Sequence, residues 1–163
     1  MSKGGKAKKQ ADGEHLVASN RRAFHDYHVI EQYEAGIQLV GTEVKSLRDG
    51  QCQLLASYAR VDEHSPVVWL HSVLIPEYRN AGPAFQHEPQ RKRKLLLHKR
   101  EIESIRKALN EKGTTLVPLK VYFKQGRAKV AIAVCRGKRK ADKREDMKTR
   151  DSKREIDRYS KGR

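Results

Sequence analysis

Two runs of alternating apolar residues near the carboxyl end constrain the fold more than any other part of this sequence. Residues 115–124 and 127–136 place an apolar residue at every second position, as in half-buried strands; these positions are Val117, Leu119, Val121 and Phe123, then Val130, Ile132 and Val134. Gln125-Gly126 separates the runs and suits a two-residue turn, so the segment predicts a β-hairpin. Pro118 has no backbone N–H, which predicts an edge or bulge position.

Shorter segments rich in β-branched and aromatic residues predict four further strands, at 27–33, 37–40, 57–61 and 67–74. The first two are predicted to form a hairpin around Glu34-Ala-Gly36, because glycine suits a turn with positive φ. Residues 76–90 hold three of the five prolines and predict a loop. Neighbouring short strands favour a mainly β fold, a small antiparallel OB-fold-like barrel with flanking helices.

Two segments predict helices. Residues 98–112 repeat large apolar residues at helical spacing, at Ile102, Ile105 and Leu109. His98 precedes Glu101 by three positions, as in a capping box with an unusual cap residue. A shorter helix is predicted over 41–50, with Thr42 as its cap.

The chain ends in a basic segment that cannot build a core. Residues 138–163 hold twelve Lys or Arg, six Asp or Glu and three large apolar side chains. Oppositely charged residues lie three and four positions apart, as in Asp146 and Arg150, and each such pair stabilises a helix by only about 0.2–0.5 kcal/mol. We therefore predict a tail over 138–163 that is disordered when free and becomes helical on a binding surface.

The rest of the chain divides into a leader and a barrel. Residues 1–18 are rich in Lys, Gly and Ala without periodicity, which predicts a disordered basic leader before a barrel at 19–137. Cys52 and Cys135 have no C-x-x-C spacing, and no apolar export segment occurs. Reduced, packed thiols in a cytoplasmic protein are therefore expected.

The net charge of +16 and the pI near 10 indicate a large acidic partner. Nucleic acid is favoured, because Lys and Arg that neutralise phosphates release counterions. A membrane is disfavoured: no apolar run approaches the roughly 20 residues of a span, and no basic segment carries a broad apolar face.

Seven histidines raise the question of a metal or catalytic site. The sequence has no His and Cys set with zinc spacing, no H-E-x-x-H and no nucleophile elbow. We therefore predict no cofactor, no metal and no catalytic residues. The alternative is a nuclease that uses His25, Asp26 and Glu43.

Two basic clusters are candidates for RNA contacts. Residues 20–27 interleave arginines with Phe24, His25 and Tyr27, a mixture that neutralises phosphates and stacks bases. Residues 91–100 place seven basic or potentially basic side chains within ten positions. The alternatives are aromatic residues that join the core and a solvated helix face.

Seven motifs, spread from about residue 20 to residue 158, form one pattern: Asn20-Arg-Arg with His25-Asp-Tyr27, Glu34-Ala-Gly36, Gly41-Thr-Glu-Val-Lys-Ser-Leu-Arg48, Ser57-Tyr-Ala59, 93–102, 113–123, and Gly137-Lys138 with Asp142-Lys-Arg144. Each motif alone is a weak signal, but together they are specific. The pattern resembles the SmpB family, the SsrA-binding proteins of bacterial trans-translation.

This resemblance implies an OB-like barrel that binds the tRNA-like domain of transfer-messenger RNA (tmRNA), chiefly around its D-loop and elbow. Family positions important there fall on Glu34, Leu96 and His98, the last replacing an Asn found in some members. The resemblance also implies a tail whose Gly137-Lys138 and Asp142-Lys-Arg144 motifs reach the small-subunit decoding centre. Beyond them, about residues 145–160 of the tail become a helix in the empty mRNA entry channel. Elongation factor Tu is an expected partner, and the protein is expected to be a monomer.

The predicted contacts are therefore of two kinds. The predicted tmRNA-binding residues are Arg22, Tyr27, Glu34, Lys45, Arg93, Lys94, Leu96, His98 and Lys99. The predicted contacts with the decoding centre and mRNA channel are Gly137, Lys138, Arg139, Asp142, Lys143, Arg144, Arg150, Lys153, Arg154, Ile156 and Arg158. The alternative function is a basic ribosomal or ribosome-assembly protein with an OB-like core.

Overall fold

Strands and helices follow one another along the chain in an order that the sequence predicts only in part. The structure, a computed structural model, describes residues 13–161 and the side chains of residues 13–158. The elements in this range are β1 (Glu14–Ser19), α1 (Arg21–Asp26), β2 (Tyr27–Ile37), α2 (Gly41–Arg48), β3 (Tyr58–Val61), β4 (Val68–His71), a 3₁₀ turn (Pro83–Phe85), β5 (Arg93–Leu96), α3 (Lys99–Leu109), β6 (Thr114–Lys124), β7 (Arg127–Gly137) and α4 (Lys140–Lys161).

Six of the strands close into an antiparallel barrel. Their order is β6-β3-β4-β5-β2-β7, and β7 pairs back with β6. The first strand, β1, pairs with β6 beyond the point where β6 meets β3. Closure leaves few free strand edges and buries a continuous apolar core, in which Leu47, Leu70 and Ile132 are fully buried. The predicted OB-fold-like barrel with flanking helices is confirmed.

The β6–β7 hairpin is confirmed together with its turn and its bulge. Gln125 and Gly126 have φ values of +50° and +75°, the left-handed conformations that a tight primed turn needs. The register shifts between Pro118 and Lys120, where the proline was predicted to mark a bulge. Val117 and Leu119 pack with Ala23 and Cys135 in a second, smaller apolar cluster, whereas Val121, beyond the bulge, packs in the main core. The prediction of one continuous apolar face on this strand is therefore wrong.

The predicted hairpin at residues 27–40 is also wrong, because β2 runs unbroken from Tyr27 to Ile37. It pairs with β7 over almost its whole length, and Gly36 also faces Leu96 of β5. Ala35 is fully buried. A Cβ added at Gly36 would lie 3.2 Å from the Leu96 Cβ, so the glycine allows a close approach of two strands and does not form a turn.

Order begins earlier than the sequence predicts. Residues 14–18, assigned to a disordered leader, belong to β1, and residues 1–12 of that leader lie outside the described part of the chain. Val17 and Ala18 pack against the main core, while the strand pairs with residues 120–124 of β6. Pairing with a distant strand gives this short segment hydrogen bonds that its own composition does not reveal.

Helix α3 matches its prediction closely. It covers Lys99–Leu109, and its inner face buries Ile102 and Ile105. The Glu101 carboxylate accepts a hydrogen bond of 2.8 Å from the backbone N–H of His98, which is the reciprocal half of the predicted capping box.

Helix α2 is capped differently from the prediction. It begins after Val40, whose backbone N–H donates a 2.9 Å hydrogen bond to the Glu43 carboxylate. Thr42, the predicted cap, instead has its hydroxyl 2.8 Å from Nδ1 of the buried His87. This contact ties the 76–90 loop to α2.

The tail forms a helix, α4, that begins five residues before the predicted helical segment. Most of its described side chains are exposed, including Met147 and Ile156. Its first turns contact α1, as described below. None of the described helices is both long and apolar enough to cross a membrane.

Candidate nucleic-acid interface

An acidic residue surrounded by cations marks the first candidate surface on the barrel. Glu34 projects outward from β2, and its carboxylate accepts hydrogen bonds from the Tyr122 hydroxyl at 2.5 Å and from Lys124 Nζ at 3.1 Å. Lys129 Nζ lies 3.8 Å from the same carboxylate. The Tyr122 hydrogen bond, with help from Lys124 and Lys129, holds the pKa of Glu34 below its ordinary value. Glu34 is therefore charged at neutral pH and positions three side chains from β6 and β7.

An exposed leucine lies next to this group. Leu96 faces Gly36 across the β2–β5 pair, and 53% of its surface is accessible. His98 and Lys99 follow at the start of α3, where both are exposed. A groove of about 420 Å³ borders Leu96 and is lined by Phe123, Arg127 and Lys129 among others. We call the group of side chains Glu34, Leu96, His98, Lys99, Lys124 and Lys129 the Glu34 surface; Lys124 and Lys129 are half-buried and the other four are exposed.

Arg93 is not part of this surface, and the prediction that it contacts RNA is wrong. Its side chain is fully buried, with Nε 2.8 Å from the Glu43 carboxylate and one terminal nitrogen 2.8 Å from the Val73 carbonyl oxygen. Strand β5 alternates between faces, so residues 93 and 95 point inward while Lys94 and Leu96 point outward. The basic run at 91–94 is neither a solvated helix face nor a uniform phosphate-binding site.

Lys45 lies outside the Glu34 surface. It is exposed on α2, and its Nζ lies 5.4 Å from the centroid of the Tyr78 ring. A separate groove of about 470 Å³ brings it together with Arg91 and Phe85.

The residues of the first basic cluster divide between solvent and core. Asn20 caps α1 by accepting a 3.1 Å hydrogen bond from the Ala23 N–H. Arg22 is exposed and pairs with Asp26 at 3.2 Å. Tyr27 packs beside the smaller apolar cluster, so the core interpretation holds for this residue.

The base of α4 is attached to α1 by ionic contacts that we call the α1–α4 junction. Lys138 Nζ donates to the Phe24 carbonyl at 2.9 Å and to Asp146 at 2.5 Å, and only 8% of its side chain is exposed. Lys143 pairs with Asp26 at 3.1 Å. The hydrogen bond from His25, followed by that from Lys143, lowers the pKa of Asp26 to about 2.

Other predicted ribosome contacts lie at or beyond this junction. Asp142 accepts a 3.0 Å hydrogen bond from the Arg139 N–H, and its other neighbour is His28 at 3.4 Å. Gly137 ends β7 opposite Tyr27. The remaining predicted residues have exposed side chains: Arg139, Arg144, Arg150, Lys153, Arg154, Ile156 and Arg158.

The side chains of the nuclease hypothesis already have cationic partners. Both oxygens of Glu43 accept hydrogen bonds, from Arg91, Arg93 and the Val40 N–H. Asp26 faces His25, Arg22 and Lys143. Within residues 13–161, no group of three or more His, Cys, Asp or Glu side chains could hold a metal ion.

The cysteines are packing residues in this structure. Cys52 and Cys135 are both free thiols. Burial raises the pKa of each to about 11, so neither is activated as a nucleophile.

Sequence reasoning missed the cations around Glu34. Lys124 and Lys129, together with the buried Tyr122, occupy positions of the β6–β7 hairpin that alternate with the apolar positions that predicted it. That alternation was a usable signal for a surface on the hairpin. Nothing local in the sequence shows that Glu34 lies against it.

A closed antiparallel barrel with flanking helices and an exposed cationic face defines an OB-fold-like protein, a class that binds oligonucleotides on its outer surface. A family model described as SmpB protein matches residues 17–162. The chain belongs to the SmpB family.

Relatives named SsrA-binding protein align over nearly the whole chain. The protein of Sulfurihydrogenibium sp. (strain YO3AOP1) is 52% identical over 149 residues, which cover 91% of this chain and 96% of the relative. The protein of Thermobifida fusca is 50% identical and covers 94% of both chains. That of Mycobacterium tuberculosis (strain H37Rv) is 49% identical and covers 92% of both.

A solved structure gives the same fold. A chain from "tmRNA-SmpB: a journey to the center of the bacterial ribosome" superposes with a TM-score of 0.63 at 46% sequence identity. The match covers 78% of this chain and 92% of that one.

Proposed function

We propose that this chain is a non-catalytic RNA-binding adaptor of trans-translation. It binds the tRNA-like domain of tmRNA and delivers that RNA to stalled ribosomes, where the nascent peptide is tagged. The observation that carries the proposal is near 50% identity, over more than nine-tenths of both chains, with proteins named for binding SsrA RNA. The fold likeness to a chain from a tmRNA–SmpB ribosome structure supports it.

The Glu34 surface is the part of the barrel that we assign to the tRNA-like domain. Lys99, Lys124 and Lys129 supply positive charge for phosphates, and Leu96 offers an apolar contact to a ribose or an unstacked base. Glu34 keeps Tyr122 and Lys124 in fixed positions, so fewer side-chain rotations are lost when RNA binds.

The tail is the part that we assign to the ribosome. Its 22-residue helix would span about 33 Å at the usual rise per residue. An mRNA channel is lined with RNA phosphate, and a basic helix can enter it only when mRNA is absent. Intact mRNA would then exclude the tail by occupancy and by charge competition, which would direct the adaptor to stalled ribosomes.

Three further features belong to this proposal. Elongation factor Tu joins the delivery complex, and the adaptor works as a monomer. It acts in the cytoplasm, where tmRNA and ribosomes are found. It needs no metal or cofactor, because positioning one RNA on another involves no bond chemistry of its own.

Binding to the isolated tRNA-like domain tests the assignment of the Glu34 surface. Leu96→Ala removes the exposed apolar contact, and Glu34→Ala releases Tyr122 and Lys124; each is expected to weaken binding by about tenfold, roughly 1.4 kcal/mol. Fluorescence anisotropy with labelled RNA measures the change. Arg48→Ala, which removes an exposed cation from α2, is the matched control. Unchanged affinity in both test variants would show that the Glu34 surface does not contact the tRNA-like domain.

Sequencing of RNA crosslinked to the purified protein separates this function from the ribosome-assembly alternative. Enrichment of a single structured RNA with tRNA-like ends supports the adaptor. Uniform enrichment of ribosomal RNA would support the alternative instead. RNA cleavage that requires a metal and disappears in His25→Ala would be needed to revive the nuclease hypothesis.

A further inference from the structure

The outer face of β3, β4 and β5 carries a second aromatic and basic surface. Three strands place their side chains in register here: Tyr58 faces His71, Arg60 faces Trp69, and Trp69 faces Lys94. The alternate positions on these strands are buried in the core, so the paired residues point outward. We call the group Tyr58, Arg60, Trp69, His71, Lys92 and Lys94 the Trp69 stripe.

Its aromatic side chains present flat surfaces already held in position. The rings of Tyr58 and His71 stack with centroids 5.0 Å apart and an interplanar angle of 7°. Lys92 Nζ lies 5.0 Å from the centroid of the Trp69 ring. Tyr58 remains 44% exposed, and a groove of about 300 Å³ runs between Arg60, Trp69 and the β3–β4 turn. A planar ligand could stack here without rearrangement of the strands.

The charge of the stripe favours an anion. Arg60, Lys92 and Lys94 supply three cations along its length. Burial, followed by the nearby charges of Lys92 and Arg60, lowers the pKa of His71, so its ring is a neutral stacking surface at neutral pH.

Two carboxylates lie at the end of the stripe and do not cancel its charge. Glu63 pairs with Arg60 at 3.2 Å, but both side chains are more than two-thirds exposed, so the pair is weak and exchangeable. Asp62 is engaged by the backbone N–H groups of His64 and Ser65.

We propose that the Trp69 stripe binds single-stranded RNA. Bases stack on Trp69 and on the Tyr58–His71 pair, while phosphates contact Arg60, Lys92 and Lys94. An acidic peptide would use the cations and leave the ring faces uncovered. An apolar partner would have to desolvate three cations without replacing their hydration. Single-stranded RNA supplies both bases that stack on the rings and phosphates that contact the cations.

This site is separate from the Glu34 surface, although the two share an edge. Lys94 belongs to the stripe, and Leu96 lies two residues further along the same outward face of β5. The inference therefore adds a second RNA contact that does not depend on recognition of the tRNA-like domain.

The chain contains one tryptophan, so its fluorescence reports on this site alone. Full-length protein is titrated with dodecauridylate, which has no tRNA-like fold, and indole emission is followed. Saturable quenching is expected, with an affinity that falls as salt rises. In the double variant Arg60→Ala/Lys92→Ala, the affinity measured by quenching should fall at least about fivefold. The slope of log affinity against log salt should decrease by about 1.4, the value for two lost phosphate contacts on a single strand.

Arg48→Ala/Arg79→Ala is the matched control, because it removes the same charge from two exposed positions outside the stripe, on α2 and in the 76–90 loop. It is expected to leave the quenching isotherm unchanged. The inference is overturned by binding without quenching, by equal quenching in both double variants, or by equal quenching with polyglutamate.

A second arm separates this inference from the proposed function. Affinity of Arg60→Ala/Lys92→Ala for the isolated tRNA-like domain should equal that of the unmodified protein. An equal loss for both RNAs would make the stripe part of one interface and overturn the claim of a second contact. Loss of tRNA-like-domain binding in Leu96→Ala with quenching retained would support two separate surfaces.

Discussion

Glu43 organises the hydrogen bonds between α2 and the start of β5. Its carboxylate is fully buried and accepts hydrogen bonds from Arg91, Arg93 and the Val40 N–H. Burial alone would raise the pKa of Glu43, but the Arg91, Val40 and Arg93 contacts together hold it below its ordinary value. The carboxylate therefore stays charged, and it neutralises an arginine that is itself completely enclosed.

Removing this carboxylate should destabilise the barrel strongly. Glu43→Ala leaves the Arg93 guanidinium buried without a counter-charge, and breaking a buried pair in this way costs about 3–5 kcal/mol. Urea unfolding followed by circular dichroism measures the loss. Glu63→Ala breaks the exposed pair with Arg60 and should cost less than about 1 kcal/mol. Equal midpoints for the two variants would contradict the role given to Glu43.

Asp26 should make the stability of the protein depend on pH in the acidic range. The pKa of Asp26 falls from 3.8 to about 2, chiefly through the His25 hydrogen bond and then through Lys143. Because the folded pKa lies below the unfolded one, the stabilisation is complete above about pH 4 and is lost as the pH falls towards 2.

Thermal unfolding of Asp26→Asn at several pH values tests this. The unmodified protein should melt higher than Asp26→Asn at pH 5, and the difference should shrink as the pH falls and close near or below pH 2. Asp49→Asn, at the exposed end of α2, serves as the control. A gap that stays constant from pH 5 to pH 2.5 would disprove the assignment.

At the residue scale, the sequence could not separate Arg93 from its neighbours. The run Arg91-Lys-Arg-Lys94 has the same composition whether its members face solvent or the core. The partner that makes burial possible, Glu43, lies fifty positions away. The importance of Glu34, Leu96 and His98 was inferred from the family resemblance, and the cations around Glu34 appear only through strand register.

At the scale of elements, the sequence predicts correctly those elements whose defining residues lie close together in the chain. The β6–β7 hairpin has its turn and alternation within 24 residues, and α3 has its apolar face and its glutamate cap within 12. Strands β1 and β2 were misjudged because both are defined by partners roughly a hundred positions away. For β2, Ala35-Gly36 has turn-like composition but serves a close approach to Leu96.

The α1–α4 junction determines how the tail leaves the barrel. Lys138 lies between β7 and α4, and it contacts both the Phe24 carbonyl and Asp146. A Lys138 contact with the decoding centre would require this almost fully covered side chain to leave the junction. The tail would then change its attachment to the barrel when it engages the ribosome.

Lys138→Ala should loosen the start of α4 without affecting the barrel. The substitution removes both contacts, so amide hydrogens of residues 142–147 should exchange faster, while those of β6 and β7 stay protected. Hydrogen–deuterium exchange with mass spectrometry resolves the two regions. Lys140→Ala, an exposed lysine at the start of the same helix, is the control. Faster exchange in both variants, or in neither, would argue against a specific junction.

The whole molecule divides its charge between two parts. Residues 138–163 contribute +6 of the total +16, and the preceding residues contribute +10. The Glu34 surface lies on β2, β5, β6, β7 and the start of α3, whereas α4 leaves from the end of β7 and the α1–α4 junction. This arrangement allows one RNA to occupy the barrel while the tail engages another.

Deletion of residues 138–163 tests this division. Affinity for the isolated tRNA-like domain should change less than about threefold, and the salt slope should stay the same, since the phosphate contacts of the Glu34 surface remain. Tagging of nascent peptides on stalled ribosomes should be lost in a reconstituted translation system. A deletion of residues 153–163, which retains the α1–α4 junction, separates the junction from the outer half of α4. If the larger deletion lowers both the affinity and the salt slope for the tRNA-like domain, the tail itself binds that RNA. The two-part description would then be wrong.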